Sequence, residues 1–501
     1  MIYSPPHSSH DRPSRALTST MSYLDTAKEL PTSHTWDPSP TSIFSTPRLR
    51  SLPKRISRIL IPSFLVPSSK PEIVRPTDFL DGLRGYASLF VFITHSVLPL
   101  HPKYGVGFWG NNGKDDYWLT QLPIIRLFHS GLVCVHVFFV LSGFSISLKP
   151  LKLMRAGDHN AVFNSLVSAT FRRAARLYLP CAALLGMVLG MVFLGLFDYG
   201  NKLAMKDNWP FLGEALQPPP ALPTVSEQLV HFWKAWWQWS DPMNAYSKIT
   251  DMPYSGQLWT IPVELRCSMI TWITLLGLAK VRPALRMMIM ASLGIWSYSR
   301  SHTDPTLFLS GAILAELLLA RAESSSTSKA GEEVETRNQK IKSWALFTFA
   351  LFLGSYPRRG GSKALGWPLL HNIGTLFVGD KGKSLLDFFT TVGPILLVWS
   401  VSQSASLKRM FSTPFAKYLG KISFALYCVH QPLISWFGYR SILFWWSVTG
   451  NETLFTYEFG FAIAFSIQLV ITVWAADLFC RAVDEPSVRL TRWVEEKCAA
   501  S

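Results

Sequence analysis

The chain has 501 residues, of which 49% are hydrophobic, 13% aromatic and only 16% charged, with a formal net charge of +16. A soluble domain is nearer one quarter charged. The deficit is concentrated from about residue 83 onward, where long apolar runs alternate with short basic stretches, and this argues against two or three soluble domains and for one helical bundle in lipid. No basic run is interleaved with a nucleic-acid module, so the charge speaks for positive-inside topology and anionic head groups rather than for nucleic acid.

In chain order, residues 1–76 are rich in Ser, Thr and Pro and read as a disordered cytosolic tail. No apolar core follows an early basic cluster, so no cleavable signal peptide is expected. The stretch 56–66 is apolar enough to lie on a membrane surface but too short and Pro-broken to span it. Ten segments approach spanning length: 83–100, 126–148, 174–197, 258–279, 284–299, 305–321, 343–356, 385–402, 422–447 and 459–482. The expected fold is therefore all-α, a polytopic transmembrane bundle of about ten helices spanning 77–486, with 487–501 as a C-terminal tail.

Lys and Arg give the orientation. Lys149, Lys152, Arg155, Arg172, Arg173 and Arg176 follow the second span, and Lys280, Arg282 and Arg286 fall in the next loop on the same side. The 321–342 loop, the 408–421 loop and the C-terminal end are basic as well. Both termini are thus expected in the cytosol, in an endomembrane such as the endoplasmic reticulum. The 357–384 loop, with Arg358, Arg359, Lys363, Lys381 and Lys383, is basic on the lumenal side, and either a helix miscount or an anion-binding role would account for it. Asn451-Glu452-Thr453 is the one glycosylation triplet and falls in a lumenal loop. The long connection 198–257 carries Pro218-Pro219-Pro220 and Trp233, Trp236, Trp237 and Trp239, as an interfacial aromatic belt or as a lid over an acceptor pocket. Of the six cysteines, Cys134, Cys181, Cys267, Cys428 and Cys480 lie in apolar segments, and Cys498 does not. Without CxxC or metal-ligand spacing they read as small buried hydrophobes, and no metal site is expected.

Polar residues within spans are costly and face a cavity or a partner. Arg84 and His95 are eleven residues apart, close to three helical turns, so they share a face about 16 Å apart along the axis. That arrangement suits an anion site at the mouth and a base inside, or equally a snorkelling Arg and an interhelical His. Arg173 and Arg176 share a face at the start of the third span, for phosphate binding or as ordinary anchors. Glu264 would orient His95, pair with an Arg, or pair with Arg266, though residues two apart on a helix do not face each other. His430 is either a second polar wall or a buried structural His.

Together these stretches resemble the acyltransferase-3 family of membrane acyltransferases, particularly its fungal members, from about Phe79 to Pro486. The motifs are Phe79-Leu-Asp81-Gly82-Leu-Arg84-Gly85 with His95, and Phe138-Phe-Val-Leu-Ser142-Gly143-Phe144. Further ones are Arg173-Ala-Ala-Arg176-Leu-Tyr-Leu-Pro180, Leu258-Trp259 to Glu264, and Ser423 to His430, with Phe308-Leu-Ser-Gly311 and Asp484-Glu485-Pro486 as lesser matches. Phe424 stands where the family has Tyr. The resemblance implies about ten helices, acyl-CoA (acetyl-CoA above all) as a co-substrate rather than a bound cofactor, and a hydroxylated carbohydrate, lipid or small natural product as acceptor. It implies His95 as the catalytic histidine, with Arg84, Arg173 and Arg176 on the donor. The rival class is a multi-pass transporter or acyl-group flippase, which would show paired repeats with broken helices; no convincing internal repeat is present.

Overall fold

The computed structural model describes residues 60–65, 75–205, 210–211, 213, 216–243, 252–327, 335–379 and 382–499. Most of the 1–76 tail, and Lys381 in the basic loop, lie outside them. Among the described residues the chain is helical, with one isolated bridge between Val106 and Arg359 and no strand.

The helices are α1 (Asp78–Val97), α2 (Gly131–Arg155), α3 (His159–Phe193), α4 (Asp198–Ala204), α5 (Val225–Ser240), α6 (Thr260–Gly277), α7 (Pro283–Ser299) and α8 (Thr303–Thr327). They continue as α9 (Arg337–Gly354), α10 (Pro368–Val378), α11 (Gly382–Gln403), α12 (Ala405–Phe411), α13 (Pro414–Leu433), α14 (Tyr439–Thr449), α15 (Leu454–Phe479) and α16 (Glu485–Cys498). Each of the ten segments expected to span falls largely on a helix. Five stretches are long and apolar enough to cross a membrane on their own: Gly131–Arg155, His159–Phe193, Thr303–Ser324, Ser384–Gln403 and Leu454–Cys498. Helices α1 and α6 are not among them. They carry Asp78, Asp81 and Arg84, and Glu264 and Arg266, which dilute their apolar runs.

Three boundaries differ from expectation for local reasons. Helix α1 starts five residues earlier than its apolar run, because Asp78 and Asp81 favour the positive end of the helix dipole. The second span begins at Gly131, and residues Ile125–His129 form a separate 3-10 turn. The segment 422–447 is not one straight rod: a π-helical turn at Ile434–Gly438 separates α13 from α14.

Helix α2 is central and packs on α1, α3, α6, α8 and α11, while α13 lies between α1 and α15. Two crossings depend on glycine. A Cβ on Gly85 would sit 2.5 Å from the Gly420 nitrogen, and one on Gly420 would sit 2.4 Å from the Asp81 carbonyl, so α1 and α13 touch backbone to backbone. Gly143 of α2 and Gly311 of α8 do the same at 2.0 Å and 2.1 Å. Close contact through small residues is the usual means of holding helices together where lipid removes the hydrophobic drive.

The bundle has two ends. At the Asp78 end of α1 lie the α2–α3 turn and α16, which packs on α3 through Arg172 and Glu495. At the Val97 end lies the loop 98–130. The basic segment after α9 sits with it: Gly107 N–H donates to the Arg359 carbonyl at 3.1 Å, and Lys363 Nζ reaches Asn112 Oδ1 at 2.9 Å. No helix miscount is therefore needed, and the positive charge of this loop stands opposite the basic end. The start of α15 is here too, since the Tyr457 hydroxyl donates to the Leu100 carbonyl at 3.0 Å; exposed Asn451 is thus on this side. In α5, Trp239 is buried with its indole N–H on the Leu258 carbonyl at 2.9 Å, whereas Trp233 and Trp237 are exposed. One helix therefore combines a docked face with an aromatic outer face. Near the chain start, the short turn Ser63–Leu65 is tied to Asp477 by the Ser63 N–H at 3.0 Å and leaves Phe64 and Leu65 exposed.

Candidate active site

A cavity of about 300 Å³ opens among α1, α2, α3, α6 and α13. Its charged wall contains Arg84, Arg173, Arg176 and Lys421 against Asp81, Glu264 and Asp484, four basic groups to three acidic. Arg84 donates to Ser145 Oγ at 2.8 Å and, more weakly, to Asp81 at 3.4 Å. Arg173 donates from Nη2 to Glu264 Oε1 at 2.5 Å and from Nε to Ser268 Oγ at 3.0 Å. Arg176, one turn along α3, stands on the same wall, as expected for residues three apart. Arg172 faces the other way and pairs with Glu495 at 3.0 Å.

Glu264 thus pairs with an arginine of another helix, and neither orients His95 nor pairs with Arg266. The reason is directional. Arg266 points away from Glu264 on α6 and engages Asp304 at 3.6 Å and the Pro242 carbonyl at 3.1 Å.

His95 and His430 meet where α1 crosses α13, with His95 Nδ1 2.9 Å from His430 Nε2. His430 is buried, and its Nδ1 lies 3.0 Å from the Leu426 carbonyl. A carbonyl only accepts, so a neutral His430 carries its proton on Nδ1 and offers Nε2 as an acceptor. His95 then donates from Nδ1, which leaves its Nε2 as the bare lone pair. Along α1, Arg84, Val91, His95 and Leu98 are spaced by seven, four and three residues and form one stripe. Arg84 and Val91 line the large cavity, and Tyr427, one turn before His430, lines it as well.

Tyr427 also fixes the wall. Its hydroxyl is 2.6 Å from Thr260 Oγ1 and donates to the Gln257 carbonyl. The Gln257 side chain in turn donates to the Cys428 carbonyl at 2.9 Å, and its N–H donates to the Gln431 side chain at 2.8 Å. The 3-10 turn Gly256–Trp259 and the start of α6 are thereby held to α13. Of the six site residues expected from sequence, Arg84, Arg173, Arg176 and Glu264 line the cavity, whereas His95 and His430 do not. Lys421 and Thr260 are additional; Lys421 looked like one more loop cation. Five cysteines are buried and Cys498 is exposed, all as free thiols, and no cluster able to hold a metal occurs among the described residues.

This helical bundle sets a His pair near a cavity rich in arginine, and the chain matches the acyltransferase-3 family, described as an acyltransferase domain, over residues 77–480. It belongs to that family. Among similar proteins, the O-acetyltransferase PaAT-1 of Phomopsis amygdali is 28% identical over 462 residues, covering 88% of each chain. Acyltransferase clz18 of Cochliobolus lunatus is 26% identical, covering 84% of this chain and 95% of its own. Acyltransferase R4 of Phoma sp. is 25% identical, covering 83% and 95%. No solved structure matches.

Proposed function

We propose that the chain transfers an acyl group, acetyl in the first instance, from acyl-CoA to a hydroxyl of a small natural product, lipid or carbohydrate. The donor enters at the Asp78 end of α1, on the cytosolic side of an endomembrane, and the glycosylation triplet at Asn451 faces the lumen. Arg84, Arg173 and Arg176 hold its phosphates, because planar guanidinium forks match phosphate oxygens. The thioester reaches His95 along the α1 stripe. His95 Nε2 takes the acceptor's hydroxyl proton as the oxygen attacks the thioester carbon; the new C–O bond forms, the C–S bond breaks, and the coenzyme thiolate leaves with that proton. His430 positions the His95 ring by fixing its tautomer, and Glu264 acts by holding Arg173.

The carrying observation is the 2.9 Å contact between His95 and His430 at the inner end of a stripe that starts at Arg84. The test incubates membranes bearing the full chain with labelled acetyl-CoA and hydroxylated acceptors. His95→Ala is expected to lose about 10²–10⁴-fold in ester formation at unchanged membrane yield. Turnover equal to wild type would defeat the proposal, and movement of acyl-CoA across the membrane without any ester would favour a flippase.

A further inference from the structure

The cations on the wrong side for topology lead to a second site. Arg126 lies in the loop turn Ile125–His129, outside the spanning helices, and is 3% exposed. Its Nη2 donates to the Tyr104 and Gly105 carbonyls at 3.2 and 3.4 Å, while Nε and Nη1 are buried without a partner. Burial, and after it the charge of Arg358, pushes its guanidinium down to about 9, so it remains cationic at neutral pH. A buried charge with unmatched donors is costly unless an anion meets it.

The space beside it is a cavity of about 20 Å³ bordered by Leu98, Tyr104, Arg126, His129, Ser130 and Arg358. No Asp or Glu lines it. A single water-sized group needs roughly 10–15 Å³, so the space suits one small polar head and not a phosphate ester. Arg358 is exposed and stands at the rim. The position matters most. Leu98 borders this cavity and Val91 borders the large one, and His95 lies between them on the same face of α1.

We propose that Arg126 and Arg358 bind a carboxylate carried by the acceptor, so that a hydroxy acid presents its hydroxyl to His95 from the end of α1 opposite the donor cavity. This rests on the acyl-transfer reading for its acceptor half, and on geometry alone for its anion half. The balance of the reaction is unchanged, since the carboxylate is bound and not consumed.

Two measurements on the full chain, purified in detergent, separate the halves. In the first, thermal unfolding is followed in sodium acetate against sodium chloride at equal ionic strength. Acetate is expected to raise the wild-type midpoint by about a few degrees, and Arg126→Gln to lose the shift. Because Arg126 also holds two carbonyls, the exposed Arg358→Gln is the second variant, and it is expected to weaken the shift in a fully folded protein. No shift in wild type, or equal shifts in wild type and both variants, would overturn the site. Equal protection by inorganic phosphate would overturn the carboxylate assignment. In the second, hydroxylated acceptors are supplied with labelled acetyl-CoA as free acids and as their methyl esters. The acids are expected to show a KM lower by roughly tenfold or more, lost in Arg358→Gln. Acid–ester parity beside an intact acetate shift would overturn the acceptor assignment. Absence of any ester product beside an intact acetate shift would defeat acyl transfer itself and leave an anion site.

Discussion

Two sets of arginines in this bundle have opposite designs. Arg155 of α2 and Arg286 of α7 converge on Glu316 of α8, at 2.8 and 2.9 Å, and Glu316 has no exposed surface. Arg155 also pairs with Glu323. That cluster answers its charges internally and fastens three helices. Around the large cavity, Arg173 has a close carboxylate partner in Glu264, Arg84 has only a longer contact to Asp81 at 3.4 Å, and Arg84, Arg173 and Arg176 all line the open volume. The contrast teaches how to tell a clamp from a site in a membrane protein. Charges held within a membrane bundle are expensive in either case, but only the second set borders room for a ligand.

The largest effect expected of this contrast comes from breaking the clamp. Glu316→Gln removes the negative charge from between two buried guanidinium groups, and removing one partner of such a set costs about 3–5 kcal/mol. The variant should show a lower unfolding midpoint in detergent and a lower yield in membranes. Acyl transfer per folded molecule should stay at the wild-type rate, because Glu316 lines no part of the cavity. A fall in turnover without a fall in stability would erase the distinction between clamp and site.

Next in size is the loss of an arginine from the cavity. With Arg176 holding the donor as proposed, Arg176→Ala would forfeit charge-assisted contacts worth about 1.5–3 kcal/mol, which is roughly ten- to hundredfold. The loss should fall on the KM for acetyl-CoA, with kcat changed little, since the contact is remote from the reacting carbon. Initial-rate kinetics over a range of donor concentration measure this directly. A kcat effect at constant KM would move Arg176 from donor binding to the chemical step.

Much of this was legible in the sequence, and the parts that were not share a cause. Apolar runs of near-spanning length each became helices, because in lipid the backbone must satisfy itself along the chain. The Arg84–His95 register was readable too, since it depends only on helical period. The partner of His95 was not, because His430 lies 335 residues away and the contact depends on how α1 and α13 cross. The glycines that set that crossing, Gly85 and Gly420, are visible as letters, but their backbone contact is not. The same applies to Glu264, whose partner Arg173 sits 91 residues upstream. The basic 357–384 loop stands out in the sequence by charge alone, but its neighbour Arg126 falls within an apolar run of spanning length and only the structure places it in a turn outside the helix.

The smallest effect distinguishes neighbours. Arg172, Arg173 and Arg176 are one cluster in sequence, but Arg172 leaves it for Glu495 on α16, and both partners of that pair keep about a quarter to a third of their side-chain surface. Partly exposed ion pairs contribute no more than about 1 kcal/mol. Arg172→Ala should therefore shift the unfolding midpoint only slightly and leave the KM for acetyl-CoA unchanged, where Arg176→Ala raises it. The two variants remove the same charge within four residues of each other. If net positive charge near the membrane face were what attracts the donor, they would behave alike in the same donor titration. A difference between them would assign donor recognition to the direction in which each guanidinium points.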